Sequence, residues 1–562
     1  MLGVKATRLL SFGLLSAVAL TTLLMTPYSS LDPVSLPKMC IVVFAGLTLF
    51  GLWAPGLKKI LANGYRNILV LSTLLIVQML LVFVFSGTSL WLQMYGTYGR
   101  STGLFTYIAL TLLMMSSAVV SSSQFISRFV ILTISLGVLL VVYGQVQHQG
   151  WDPFPFVNAY GSNVFGTLGN PNFMSAFMGT IGALAFTMTL SRSFNLLVRI
   201  ALATLTMASV VIIHETESLQ GYLNLAAGII VTGILWLFMS KKKAIAILVS
   251  GLAGAGGALI FLGLINMGPL ADSLYKSSLA TRGYYWRAGI KMLFDHPLFG
   301  VGMDGFGEWY KRSRNLEDTL VNPGINTDAA HNVFLDIASN GGFPLILIYL
   351  AILGVVILSV IRVVQRSNGF NPYFVALVAA WVAYQAQSFI SINQIGLAIW
   401  GWVLSGLIIG FEINSRTDDA GDLNPESGSR VISQKKLEQS LSPATLVSVF
   451  TAVLIGTLVA VPPYVAANKY YKALKSGDAL VLQPATYAKP YDRVRFTFTA
   501  SNFAQNGLND RALVVIREGV KLFPNSYEAW SILAGLPNAS AAETTQAKAE
   551  MKRLDPFNPE LK

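Results

Sequence analysis

The sequence predicts an all-α, polytopic helical membrane protein, and three observations carry that prediction. Apolar runs close to bilayer length recur along most of its 562 residues. Hydrophobic residues make up 54% of the chain and charged ones only 12%, whereas a soluble domain carries roughly 25% charge. Lysine and arginine gather in alternate short segments between the runs, as the positive-inside rule requires.

The runs fall near residues 9–26, 38–55, 67–85, 103–120, 129–146, 173–190, 195–213, 221–240, 244–266, 343–361, 372–390, 395–411 and 444–462. A helix needs about 20 residues to cross the hydrocarbon, which gives about 12–13 spans. The stretch 195–240 divides into two spans if the polar patch from His214 to Gln220 is a turn or faces a protein-lined cavity, because its two carboxylates are costly in lipid. Lys5 and Arg8, the pair Lys58 and Lys59, Arg128, Arg192, Lys241 to Lys243, Arg362 and Lys435 mark one side; the opposite short loops hold almost no cation except Arg100. This alternation predicts a cytoplasmic N-terminus, a multi-pass protein of the cytoplasmic membrane and an extracytoplasmic tail. The first run follows Lys5 and Arg8 without a clear small-residue cleavage site and is read as a retained span.

Four regions follow. Residues 1–411 form a membrane-embedded domain with a large extracytoplasmic loop at about 266–342. Residues 412–443, rich in Asp, Gly, Ser and Asn, form a flexible cytoplasmic linker. Residues 444–462 are a final span, and 463–562 are an extracytoplasmic helical-repeat tail. In the tail, Pro524 and Pro556 each follow a second helix at close to the ~34-residue tetratricopeptide period. Such a surface suits a protein partner or a scaffold for the membrane domain, and its removal is expected to leave donor binding intact.

The net charge of +12 is distributed as loop cations rather than as a basic stripe interleaved with aromatics, which disfavours nucleic acid as a partner. The single cysteine, Cys40, lies in an apolar run and forms neither an intramolecular disulfide nor a zinc cluster. Walker loops, H-E-x-x-H and G-x-S-x-G are missing, which weakens ATPase, zinc-protease and serine-hydrolase readings.

The large loop is the most informative region. From Tyr284 to Phe294 apolar residues recur at helical spacing, predicting an amphipathic helix along the membrane surface, flanked by Arg282, Arg287 and Lys291. His331 stands where the loop re-enters the bilayer, beside Asp328, Asn332 and Asp336. The plain alternative is a solvated histidine at a helix start with Asp328 as its cap. A second polar loop, 158–179, carries Asn170 and Asn172 around a Pro turn signal. Arg100, Arg282 and Arg287 are outward-facing cations on a protein whose basic residues otherwise sit inside, which suits an anionic, lipid-linked ligand held by guanidinium forks.

The chain resembles the O-antigen ligase/polymerase superfamily of bacterial glycan transferases. "YGRSTGL" (98–104), "GTLGNPNFMSAFM" (166–178), "RGYYWRAGIKMLFDHPLFGVGMDGF" (282–306) and "AHNVFLDIASNGGFPLILIYL" (330–350) carry the likeness, which extends over roughly residues 1–411. It implies transfer of a glycan from undecaprenyl diphosphate to an acceptor hydroxyl outside the cytoplasmic membrane, with no metal and no other cofactor. The acceptor is a lipid, a wall polymer or a protein. The resemblance maps an essential histidine onto His331 and a loop arginine onto Arg282 or Arg287. Many relatives carry a Ser-Arg pair where this chain reads Ser218-Leu219-Gln220, so either Arg100 supplies the second charge or this branch binds its donor differently. The expected catalytic set is His331, Arg282 and Arg287. Arg100, Asn170, Asn172 and Lys291 are expected to bind donor, and Asp328, Asn332 and Gln220 to support them.

On this reading the arginines stabilise the departing diphosphate and a neutral His331 activates the hydroxyl, with Asp328 orienting the ring. Direct displacement inverts the anomeric centre; a covalent route through Glu215 or Glu217 stays open. Repeat-unit polymerisation and protein O-glycosylation are chemically similar alternatives. A transporter or flippase is the alternative from a different class, for which ionisable groups at the bilayer midplane and repeated halves would be expected.

Overall fold

The computed structural model describes residues 3–154, 164–265, 267–274, 277–321, 323–421 and 440–561. Among the described residues the regular elements are all helices, as a chain with so much apolar length requires when its backbone must satisfy itself in lipid.

The N-terminal quarter contains α1 (Val4–Leu23), α2 (Ser35–Trp53), the short α3 (Leu57–Ile60), α4 (Arg66–Phe85), the short α5 (Leu90–Tyr95) and α6 (Leu104–Val120). Next come α7 (Ser123–His148), α8 (Pro171–Thr189), α9 (Leu196–Glu215), α10 (Gln220–Met239) and α11 (Lys243–Leu264). The large loop folds into α12 (Ala271–Leu274), α13 (Ser277–Asp295), α14 (Phe306–Ser313) and α15 (Leu316–Val321). The membrane domain closes with α16 (Val333–Arg366), α17 (Pro372–Ser388) and α18 (Ile395–Gly421).

Every apolar run of the sequence lies in one of these helices or in α19 (Pro443–Ser476). Among the described residues nine helical stretches are long and apolar enough to cross a membrane, with α2 to α4 counted as one stretch from Ser35 to Phe85. That stretch bends at Asn63 and Gly64, where the backbone leaves helical geometry. The remaining runs form α6, α8 and α17. The polar patch after α9 is a turn, with Glu217 in left-handed geometry at φ +56°. Helix α16 begins at Val333 but breaks at Gly342, so its long apolar part starts at the expected place near 343 and a separate short helical segment precedes it. The expected linker is helical up to Gly421; residues 422–439 lie outside the described residues, as do 158–163 of the second polar loop.

Helix α18 forms the centre of the bundle. Gly406 and Gly410 let it approach α6 at backbone distance: a Cβ at Gly406 would stand 2.0 Å from the Met114 carbonyl oxygen, and one at Gly410 would stand 2.2 Å from that of Ala118. Small residues four apart are the usual means of such contact where no water drives helices together. The peripheral α11 and α19 instead expose Ile247, Leu252, Val447 and Phe450, faces suited to hydrocarbon.

After α19 the tail comprises α20 (Ala479–Thr486), α21 (Arg493–Gln505), α22 (Asn509–Leu522), α23 (Tyr527–Gly535) and α24 (Ala541–Leu554). Phe496, Phe503, Ile516, Trp530 and Leu533 build a core separate from that of the membrane domain. Caps delimit the helices: Asp492 accepts from the Val494 N–H, Ser526 from that of Ala529, and Ser540 and Glu543 form a reciprocal capping box.

The tail is docked onto the large loop. Asp555, fully buried, accepts from Arg314 at 2.8 and 3.0 Å, and Arg314 is itself 1% exposed. Asn468 donates to the Ser29 carbonyl, Ser89 donates to that of Leu522, and Trp91 meets Tyr491 edge-on at 5.4 Å. Loop and tail therefore share one face of the bundle.

Candidate functional site

On that face lies a cavity of about 580 Å³. Its wall collects residues from five places where a helix begins: Ser35 on α2, Asn170 and Asn172 on α8, Gln220 on α10, His331 before α16, and Gln394 before α18. Helix N-termini carry about half a positive charge each, offset at α2 by the capping Asp32 carboxylate, so the convergence of the others favours an anion in the cavity.

Two guanidiniums complete the site. Arg100 comes from the loop before α6 and Arg282 from α13. Neither forms an ion pair or a side-chain hydrogen bond among the described residues, and burial pushes Arg282 below the ordinary arginine pKa. The Arg100 loop is held by Asp304, whose carboxylate accepts from the Thr97 N–H at 2.7 Å and whose carbonyl accepts from the Thr97 hydroxyl. Burial raises the Asp304 pKa to about 6, opposed by the Thr97 N–H and by the charge of Arg100. Ser35 also donates to the Gly99 carbonyl at 2.8 Å, and Asp32 caps α2 through the N–H groups of Val34, Ser35 and Leu36.

His331 owes its position to the residues around it. Asp336 reaches back to accept from the Ala330 N–H at 2.6 Å, while Asn332 caps α16 by accepting from the Leu335 N–H. Between these anchors His331 is held at φ +55°, a sparsely populated conformation for a non-glycine residue whose cost, about 1–3 kcal/mol, the surrounding structure must offset. Its Nδ1 lies 3.2 Å from the Ala329 carbonyl. That contact favours the proton on Nδ1 and leaves the Nε2 lone pair available. Burial first, then the charges of Arg100 and Arg282, push the imidazole pKa down to about 3, so the ring is neutral at neutral pH. Tyr285 lies against it at 5.4 Å between ring centroids.

The Gly-Asn-Pro-Asn segment is equally specific. Gly169 adopts φ +75°, and a Cβ there would meet Val34 at 2.9 Å. Asn170 then caps α8 through the Asn172 N–H, and the Asn172 side-chain oxygen accepts from the Ser218 hydroxyl at 2.7 Å. Gln220 and Gln394 each leave a buried amide atom without a partner, Oε1 and Nε2 respectively. Buried orphan groups of this kind are uncommon, and here they mark the wall of a polar cavity.

The cavity thus unites His331, Arg282, Arg100, Asn170, Asn172 and Gln220. The other expected residues stand apart. Helical phase separates Arg287 from Arg282 by about 140° and Lys291 by about 180° at 100° per residue. Arg287 instead pairs with Asp318 at 2.6 and 3.0 Å, and Lys291 with Asp295 at 2.6 Å. Asp328 lies beside Gly307 rather than at the His331 ring, so the ring is oriented by a backbone carbonyl. The capping role belongs to Asn332, which supports His331 from behind. Glu215 accepts from Gln145, and neither it nor Glu217 lines the cavity. Tyr98, Asp32, Asp304 and Gln394 went unread in the sequence; only the Asp between glycines at 304 hinted at a structured turn.

The amphipathic α13 packs Ala288 and Met292 against Val301, Phe306 and Ala330, while Ile290 and Phe294 remain exposed. Its inner face thereby fixes Arg282 relative to His331.

No curated protein matches the chain. Residues 202–350 match the sequence profile of the O-antigen ligase family, a stretch that contains Gln220, Arg282 and His331 but not Arg100, Asn170 or Asn172. Over that stretch, and on that ground, the chain is similar to O-antigen ligases, which supports a glycan-transferring role.

Proposed function

We propose that the protein transfers a glycan from undecaprenyl diphosphate to an acceptor hydroxyl at the outer face of the cytoplasmic membrane. The observation that carries this reading is the cavity in which two unpaired guanidiniums and several helix N-termini surround a neutral imidazole. The acceptor oxygen attacks the anomeric carbon as the bond from that carbon to the diphosphate oxygen breaks. His331 Nε2 takes the hydroxyl proton, and the diphosphate departs with its charge held by Arg100 and Arg282. The displacement is direct and inverts the anomeric centre. Arg287, Lys291 and Asp328 take no part in it. Asn170, Asn172 and Gln220 bind the donor's polar groups.

Purified protein supplied with a polyprenyl-diphosphate-linked glycan tests the reading. Arg100→Ala and Arg282→Ala should each weaken donor affinity by roughly tenfold to a hundredfold, the worth of a charge-assisted hydrogen bond. Lysine at either position should restore only part of it, lacking the planar fork. Unchanged donor affinity in both alanine variants, or no transfer by the wild-type protein, would refute the assignment.

The pH dependence offers a second check. A base acts in its neutral form, which exists above its pKa. With that value held near 3 by burial and two arginines, kcat/KM should show no imidazole limb between roughly pH 5 and 8. Arg282→Ala removes one repulsive charge while burial, the largest cause, and Arg100 remain, so the His331 pKa should rise only part of the way towards the ordinary histidine value, as followed by NMR titration of the ring. An unchanged His331 titration in the variant would contradict the electrostatic coupling.

A further inference from the structure

The large loop and the tail enclose a second pocket of about 380 Å³, within the size range of small-ligand sites. Glu308 and Lys311 of α14 form one side; Arg493, Asn525, Glu528 and Ser531 of the tail form the other. Glu308 is 5% exposed, with Asn525 as its polar neighbour and the charges of Arg493 and Arg312 beside it. The Arg493 Nε is buried and unpartnered. A narrow crevice of about 70 Å³ lies between this pocket and the main cavity, sharing the lining residue Arg493 with the former and Asp32 and Tyr98 with the latter. Trp91 and Tyr491 line it.

The lining selects among ligand classes. Glu308 and Glu528 disfavour a phosphate, and Arg493 and Lys311 disfavour a bare cation. Ile532 and Leu554 are too little apolar surface to bury an acyl chain among so many polar groups. Carboxylate, amide, guanidinium and hydroxyl groups together offer both donors and acceptors, which a ring bearing several hydroxyls can satisfy at once. The aromatic crevice adds surfaces for the apolar faces of such rings.

We propose that this pocket is a carbohydrate subsite that holds sugar units of the glycan chain remote from its reacting end, with the crevice as the path between the two sites. The proposal rests on the glycan-transfer reading, because only a chain anchored in the main cavity would follow that path.

The test uses full-length protein in nanodiscs and two separate readouts. Calorimetry measures binding of the free oligosaccharide released from the donor by mild acid. A transfer assay compares donors carrying one repeat unit with donors carrying long chains. Ser531→Trp fills the pocket from an exposed position, and Glu308→Gln keeps the shape while removing the charge. Each should weaken oligosaccharide binding by at least about tenfold and lower the ratio of long-chain to single-unit transfer similarly. Equal binding and an unchanged ratio in both variants would overturn the subsite, as would a wild-type protein that does not bind the oligosaccharide. Loss of the transfer reading is seen separately: wild-type protein then transfers neither donor, and calorimetry still decides whether the pocket binds sugar.

Discussion

His331→Ala is expected to leave the protein inserted and able to hold donor while lowering transfer by about 10²–10⁴-fold, the usual contribution of a positioned general base. The loss should appear in kcat rather than in donor affinity, because the imidazole meets the hydroxyl proton only as the acceptor attacks. The backbone argument makes the variant informative. His331 occupies left-handed geometry between the Asp336 and Asn332 anchors, and alanine tolerates that geometry less well than glycine. His331→Gly therefore serves as a control for strain. If both variants bind donor as the wild type does and neither transfers, the loss belongs to the imidazole. Full activity in His331→Ala would remove the proposed base.

Asp555→Ala is expected to destabilise the docking of the tail by about 3–5 kcal/mol, because it leaves the Arg314 guanidinium buried without its counter-charge. Arg314 keeps the carbonyls of Pro323 and Ile325 at 3.1 and 3.5 Å, which offset only part of the loss. The double replacement Arg314→Met with Asp555→Leu should lie close to the wild type, since it removes both charges and fills the space. Limited proteolysis should release the tail more readily from the single variant than from the double one. Equal protection of the single variant and the wild type would show that the pair does not hold the two parts together. The packing runs against the expectation that the tail is dispensable for donor binding: residues beyond α19 contribute Arg493 and Arg495 to the crevice adjoining the main cavity, so their removal opens that wall.

Much of this architecture was legible because the bilayer is an undemanding code to read. A helix in lipid must be about 20 apolar residues long, and charge flanks report its sidedness; neither depends on distant partners. The site was legible where residue type and chemistry coincide. Arg100, Arg282, Asn170, Asn172, Gln220 and His331 come from five separate segments and line one cavity. The choice between Arg282 and Arg287 was not legible, since it depends on the phase at which α13 packs and on the capture of Arg287 by Asp318. Asp304 and Asp32 went unread for a different reason: each acts by accepting backbone N–H groups, a role that any loop aspartate could fill.

What the sequence determined by itself is the set of helices and the residue types that the proposed site draws on, because these follow from composition and periodicity. What only the tertiary structure decided is which charges remain free and what stands beside them. Arg282 is available because no carboxylate among the described residues pairs with it, whereas Arg287 is neutralised; His331 is held neutral by burial and by two arginines distant in sequence. Arg314 and Asp555 join the tail to the loop across 241 residues. Pairing and desolvation depend on distances of a few ångströms between segments far apart in the chain, and those distances are set only when the helices pack.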